Sequence, residues 1–369
     1  MERLRQLSAA LVDDDALAAC ASDPAAQRDL WELAVAQMVH LVLAWRIVHD
    51  PRGSWSGEWP SIARAALADG AVVDELQRRD LVRAVAALAA AEVDALLLKG
   101  AAWAHLIYPS PVLRPRRDAD VLIDREAMDA ADRVLRGLGY ETPPAHTKEL
   151  VTAQRTYRRV DGQQLAHQID LHWRVTNPLV FADALPFARV WPRRVRVDAL
   201  GGAWTLCPAD ALLLACLHRL AHHGDRPELL WLMDIDRLAA RLHADEWGDL
   251  VAQAEWNGLR GVCALGLARA SDWFHTAVPP HVRAALEADA AGAPDAIFLQ
   301  AQIDPLGVLA SDWRALHRWR DRWRLAVAHV FPDPAYIRAR YGVRHPVWLP
   351  FLYAHRALGG LSRWIANAR

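Results

Sequence analysis

A chain of 369 residues has room for two or three domains and at least one sizeable core. Its 53% hydrophobic and 24% charged residues are ordinary for a globular protein, and a net charge of −1 gives no global attraction to nucleic acid or an anionic membrane. Cys20, Cys207, Cys216 and Cys263 lack paired spacing, which argues against a disulfide framework or a cysteine-based zinc site. No apolar run approaches the roughly 18 residues of a spanning helix, and the charged N-terminus lacks a signal-peptide core. The expected location is the cytoplasm, with no membrane span.

In chain order, the first ninety or so residues read as helices. Leu30, Ala34, Met38, Leu41 and Trp45 recur at helical spacing, as do Leu76, Leu81, Val82, Val85, Leu88 and Ala89. Pro51-Arg52-Gly53 breaks the helices, and the loop is expected to continue from Ser54 to Pro60. The period then changes. Val93 to Leu98 is a short apolar run ending at Lys99-Gly100, as a buried strand would. Asp118 to Ile123 is a second strand, and a helix follows from Glu126 to Leu138 with Gly139 as its C-cap. Gln154 to Val160 and Gln164 to Trp173 form two more strands around an Asp161-Gly162 hairpin signal. From Pro208 the pattern is helical again.

The expected fold is therefore α+β, a small mixed sheet flanked by helical segments. The expected divisions are an N-terminal helical segment over 1–92, a core over 93–205 and a C-terminal helical domain over 206–369.

Strand alternation projects Asp118 and Asp120 from one face, with Ala119, Val121 and Ile123 on the other. Asp170 and His172 likewise share a face in Gln168-Ile169-Asp170-Leu171-His172. Adjacent carboxylates repel and raise each other's pKa unless a cation lies between them. Mg²⁺, or Mn²⁺ in its place, removes that conflict with hard oxygen ligands and can carry a triphosphate. Three such acids on neighbouring strands suit a two-metal displacement. A DxD alone is common by chance; the upstream Lys-Gly strand end and the downstream acid give it weight.

The stretch LLLKGAAWAHLIYPSPVLRPRRDADVLID, followed by HQIDLHW, resembles a bacterial nucleotidyltransferase-like family of the polymerase-β-like nucleotidyltransferase superfamily. The resemblance covers Leu96 to Trp173 well and extends loosely to LHRLAHH, WLMDIDRLA and FPDPAYIRARYG. It implies a nucleotidyltransferase core in which Asp118, Asp120 and Asp170 are the catalytic, metal-holding acids. Lys99-Gly100 stands where the superfamily's glycine-serine turn cradles triphosphate. Two departures stand out: Ala101 supplies no hydroxyl, and the gap from Gly100 to Asp118 is long. The activity implied is transfer of a nucleoside monophosphate from an NTP, ATP first, to a hydroxyl of an acceptor. A peptide, a small molecule or an RNA end would serve, although nothing in the composition indicates nucleic acid. The alternative is a non-catalytic nucleotide- or partner-binding domain with a degenerate site.

Lys99 and Arg114 are the triphosphate candidates, as a point charge and a bidentate fork. Only Lys99 and Lys148 are lysines among the 43 basic residues, which singles out Lys99 as a chemical requirement. Arg117, His172, His218, His222 and Asp234 are the further candidates for substrate contact; a hydrogen-bonded core pair is the first reading of His218 and His222, a structural role the first reading of Asp234, and a solvated loop charge the alternative for Arg117. His218 and His222 have zinc-helix spacing, but Arg219 stands where a metalloprotease would carry its glutamate. Asp234 lies on an apolar stripe with Leu230 and Leu238, so a partner from a neighbouring element is expected. Leu316, Trp319, Trp323 and Val330 share a helical face expected to pack inward, with Arg318, Arg320, Arg322 and Arg324 solvated.

Overall fold

Four consecutive buried apolar residues, Ala95–Leu98, form strand β1, as a run without polar alternation requires. The strand starts two residues later than the apolar run. The Val93 amide instead donates to Leu88 O at 3.0 Å, closing the preceding helix through Glu92 at φ 55°. The computed structural model describes residues 1–21, 24–143, 150–223, 225–288 and 305–356; Lys148 lies outside them.

The other strands are β2 (Ala119–Ile123), β3 (Gln154–Val160), β4 (Ala166–His172), β5 (Val195–Val197) and β6 (Ala203–Thr205). They form one mixed sheet in the order β3-β4-β2-β1-β6-β5. β2 runs antiparallel to β1 and parallel to β4, while β1 and β6 are parallel. The α+β architecture is thus a mixed six-stranded sheet among many helices. Strands β5 and β6 are three residues each, too short for a period to show in the sequence.

Helices α1 (Glu2–Ala10), α2 (Asp14–Cys20), α3 (Pro24–Ala36), α4 (His40–Val48) and α5 (Trp59–Ala90) precede the sheet. The Leu30 to Trp45 stripe is two helices, because the chain turns at Met38 (φ 56°), and Trp45 is exposed. The loop expected through Pro60 ends earlier. Helix α5 begins at Trp59, since proline is tolerated in a first turn whose N–H groups have no helical partner. After β1 comes α6 (Gly100–Leu106), and after β2 comes α7 (Met128–Gly137), with Gly139 at φ 86° just beyond its end. The β3–β4 turn differs from a simple Asp-Gly hairpin. Asp161 Oδ1 accepts from the amides of Gln163 (2.8 Å) and Leu165 (3.0 Å), and Gln164, not Gly162, takes the positive φ.

Past α8 (Phe187–Val190), a helical layer follows: α9 (Pro208–His223), α10 (Leu229–Ala239), α11 (Ala244–Trp256), α12 (Arg260–Phe274) and α13 (Pro280–Glu287). The hydrophobic core runs without a break from Leu7 on α1 through β1 and β2 to Leu286 on α13, so helices that precede and follow the sheet in the chain share it. α14 (Pro305–Ala315), α15 (Trp319–Val330) and α16 (Pro334–Tyr341) come next, and a 3-10 turn at Pro346–Trp348 leads into a last helical stretch that runs to residue 356. Here one expectation reverses. α15 buries Leu325 and Ala328, and leaves Trp319 69% and Trp323 61% exposed on the face expected to pack. Among the described residues no helix is long and apolar enough to cross a membrane.

Candidate active site

Parallel pairing of β2 with β4 sets Asp120 directly opposite Asp170, so both carboxylates leave the same face of the sheet. Asp118, two residues before Asp120, points the same way. His172, two beyond Asp170, reaches back so that its Nε2 lies 2.7 Å from Asp120 Oδ1. Gln154 on β3 donates to Asp170 Oδ2 at 2.8 Å, and Gln168 on β4 to Asp170 Oδ1 at 3.2 Å. The two glutamines escaped sequence reasoning. Their signal was the alternation itself, because Gln168 sits on the same face as Asp170.

Leu98 is paired with Asp120, which brings the next residue, Lys99, over the acids. Lys99 Nζ donates to Asp120 Oδ1 at 3.1 Å. Its backbone holds φ 50°, ψ −137°, a conformation costly for a residue with a Cβ and one that tends to persist where function over-determines the geometry. Gly100 opens α6 and has another requirement. A Cβ there would lie 2.7 Å from one terminal nitrogen of Arg114 and 2.9 Å from its Cζ.

Arg114 is buried and bound side-on to Asp234 of α10, with Nε at 3.1 Å from Oδ1 and a terminal nitrogen at 2.7 Å from Oδ2. Tyr108 Oη donates to the same Oδ1 at 2.8 Å. Asp234 is therefore the paired buried carboxylate expected of it, and its partner ties α10 to the sheet.

A cleft of about 440 Å³ opens between the sheet and helices α9 and α10. Lys99, Gly100, Arg114, Arg117, Asp118, Asp120, Asp170, His218 and His222 all border it. His172 and Asp234 stand behind the wall, each bonded to a residue that does. Met38, Asn177, Leu230 and Trp231 also face the cleft; Met38 and Leu230 read in the sequence only as members of apolar helical stripes, and Asn177 and Trp231 carried no signal.

A sequence profile for a family described as "uncharacterised nucleotidyltransferase" matches residues 23–275, well over half the chain. The chain belongs to that family. Among curated proteins none matches. Among solved structures, the chain is similar to the crystal structure of an antigenic nucleotidyltransferase-like protein from Paracoccidioides brasiliensis. The two share 15% identity over 54% of this chain and 96% of that one, with a TM-score of 0.32.

Within this member of the nucleotidyltransferase family, charge is unevenly compensated along the acidic face. Burial would raise the Asp120 carboxyl, but the Lys99 ammonium and the His172 hydrogen bond prevail and hold it well below the usual range. Asp118 goes the other way. Burial, then the charges of Asp120 and Asp170, push it up to about 6 against the pull of Lys99 and Arg114. Among the described residues Asp118 has no hydrogen bond or ion pair; neighbouring Arg116 is instead taken by Asp74 at 2.5 Å.

The donor set fits a hard divalent cation in its chemistry: three carboxylates on one face, one of them short of positive charge. It is not a closed ligand set. Among the described residues no group of three or more His, Cys, Asp or Glu side chains is drawn together to hold a metal ion. The reason is visible in the partners already present, since Lys99, His172, Gln154 and Gln168 satisfy oxygens of Asp120 and Asp170.

Opposite the acids, the His218 ring lies edge-on to Trp231 at 5.8 Å and 5.0 Å from that of His222. His222 Nε2 is 3.0 Å from Thr176 Oγ1. Arg117 is exposed at the rim, whereas Arg116 is buried.

Proposed function

We propose that the cleft binds a nucleoside triphosphate, ATP first, and transfers its nucleoside monophosphate to an acceptor hydroxyl with release of pyrophosphate. The observation that carries this reading is the in-register pair Asp120 and Asp170, with Asp118 two residues upstream, facing a cleft that has Lys99 at its edge. Asp118, Asp120 and Asp170 would hold Mg²⁺ or Mn²⁺. Such ions, when bound, lower the pKa of an attacking hydroxyl and take up charge on the leaving oxygen.

Lys99 is the residue with most to gain from a triphosphate. Its ammonium neutralises Asp120 now and would turn to phosphate oxygens once that carboxylate has another cation. Arg117 reaches the same oxygens from the rim. Arg114 borders the site, but its guanidinium is committed to Asp234, so its part is to fix Gly100 and the start of α6. In the transfer, the acceptor oxygen bonds to the α-phosphorus and the bond to the bridging oxygen breaks. The hydroxyl proton passes to a carboxylate of the trio. His218, His222 and Trp231 form the wall against which a base or an acceptor would rest. A peptide or a small molecule is the acceptor to test first, then an RNA end.

A second reading is favoured by the partners that Asp120 and Asp170 already have and by Ala101, which offers no hydroxyl after Gly100: a domain that binds nucleotide without turnover. One experiment separates the two. The full chain is incubated with ATP labelled at the α- or γ-phosphate, Mg²⁺ and acceptor pools. Pyrophosphate release with α-label in the acceptor supports transfer; γ-label in the acceptor with ADP formed would mean phosphoryl transfer instead. Saturable ATP binding with neither product supports the binding domain.

A further inference from the structure

The C-terminal helices carry a charge that the whole-chain balance conceals. Residues 313–356 contain nine arginines, two aspartates and no lysine or glutamate, a net +7 in a chain of net −1. The same segment holds the exposed apolar surface. On α15, Trp319, Trp323 and Val330 fall within about 40° of one another around the helix axis, at 100° per residue, and all three are exposed. The inward side is occupied by Leu325 and Ala328, both buried. Arg320 and Arg322 flank the tryptophan stripe, one on each side. Beyond the helix, Phe331 packs on Tyr353 with ring centroids 5.6 Å apart, and Tyr353 Oη donates to Pro332 O at 2.7 Å. This contact docks the 346–353 segment at the end of α15, and that segment exposes Val347, Trp348 and Phe351.

We propose that this face is a docking surface for an anionic lipid bilayer. Large contiguous apolar patches are rare on a soluble surface and mark an interaction site when rimmed by charge. Tryptophan with arginine on either side is the composition of a helix lying in a headgroup layer, the indoles at the acyl boundary and the guanidinium groups on phosphates. A helix of 12 residues is too short to cross a bilayer. Single-stranded nucleic acid would also attract arginine and stack on indoles. It would have no use for Val330 and Val347, which lack a π-face and yet belong to the exposed set. The surface lies outside residues 23–275, so membership of the family has no bearing on it.

The test is flotation of the full chain with vesicles of phosphatidylcholine alone and of phosphatidylcholine mixed with phosphatidylglycerol. The expected result is binding to the mixed vesicles only, weakened by salt, with quenching of tryptophan emission by lipids brominated on their acyl chains. Trp319→Ala with Trp323→Ala, and separately Arg318→Gln with Arg320→Gln, should each cut the bound fraction about tenfold, the first pair by removing buried apolar area and the second by removing charge. All four side chains are exposed, and an unchanged melting temperature checks that the fold persists. Failure to float with anionic vesicles, or flotation without bromine quenching or unaffected by both double variants, would overturn the proposal. So would a single-stranded oligoribonucleotide that competes the vesicles off through the same four residues; that result would assign the face to nucleic acid.

Discussion

The guanidinium of Arg114 occupies the space that a side chain at position 100 would need, 2.7 Å from where a Cβ would stand. Gly100 does not have a positive φ, so its requirement is room and not backbone freedom. Arg114 cannot yield cheaply, because Asp234 and the Pro115 carbonyl hold it. Gly100→Ala should therefore destabilise the protein by about 1–3 kcal/mol, the usual cost of overpacking. Gly248, mid-helix in α11 with open space around it, is the control. Gly248→Ala should stabilise by about 0.5–1 kcal/mol. Denaturant melts of both variants decide the matter, and equal effects would mean that Arg114 is free to move.

Asp234 and Arg114 form a buried pair with Tyr108 as third member, and burial followed by the Asp234 charge pushes the Tyr108 phenol well above its usual range. Asp234→Ala would strand a buried guanidinium and should cost about 3–5 kcal/mol. Replacing both charges, as Asp234→Leu with Arg114→Met, should recover most of that loss, since an apolar pair of similar volume requires no desolvated charge. Chemical denaturation of the two single variants and the double variant measures the coupling. Additive losses would show that the two residues act independently.

How much of this was legible in the sequence depends on whether a residue's neighbours are local. Asp118 and Asp120 are placed on one face by strand alternation alone, and Asp170 by the same rule, because the i, i+2 spacing of polar residues in the sequence carries that information even where Leu122 and His172 are buried too. The β3 and β4 boundaries were within two residues for the same reason. In the sequence Gly100 reads as a phosphate turn, and its need for room beside Arg114 is not legible, since Arg114 lies across a loop from it. Arg114 reads as a phosphate ligand, and its buried partner Asp234 is out of sight, 120 residues away on α10. The α15 stripe misled in another way. Periodicity reports that Trp319 and Trp323 share a face, but not whether that face turns toward the core.

Lys99 joins two strains that can be separated by substitution. Its ammonium compensates Asp120, and its backbone sits at a positive φ. Lys99→Met removes the charge and keeps the backbone cost; Lys99→Gly removes both. Both should lower stability and weaken ATP binding, the latter by the roughly 1.5–3 kcal/mol of a charge-assisted contact. Lys99→Gly should be the less destabilised, by about 1 kcal/mol or more, because glycine accepts this conformation. Calorimetric titration with ATP and Mg²⁺, beside thermal melts, reads both effects. Undiminished affinity in both variants would move the phosphate contact to Arg117.

Asp118 offers the sharpest test of the acidic face, because its predicted behaviour reverses with metal. Its folded-state pKa of about 6 stands above that of an unfolded aspartate, so the folded protein holds this proton more tightly. The stability from that proton is fully present below the unfolded value and is lost as pH rises through about 6. Each pKa unit is worth about 1.4 kcal/mol, which bounds the loss at about 3 kcal/mol. In EDTA near pH 7, Asp118→Asn should therefore melt above the wild type, since it removes a like charge from beside Asp120 and Asp170. Near pH 5 the advantage should shrink, because the wild-type carboxyl is then largely protonated. Mg²⁺ with ATP should raise the melting temperature of the wild type and leave Asp118→Asn nearly unmoved. An Asp118 serving only structure predicts a variant that melts earlier in EDTA at both pH values. That result, with no gain for the wild type from Mg²⁺ and ATP, would remove the carboxylate trio from the proposed transfer and favour the binding domain.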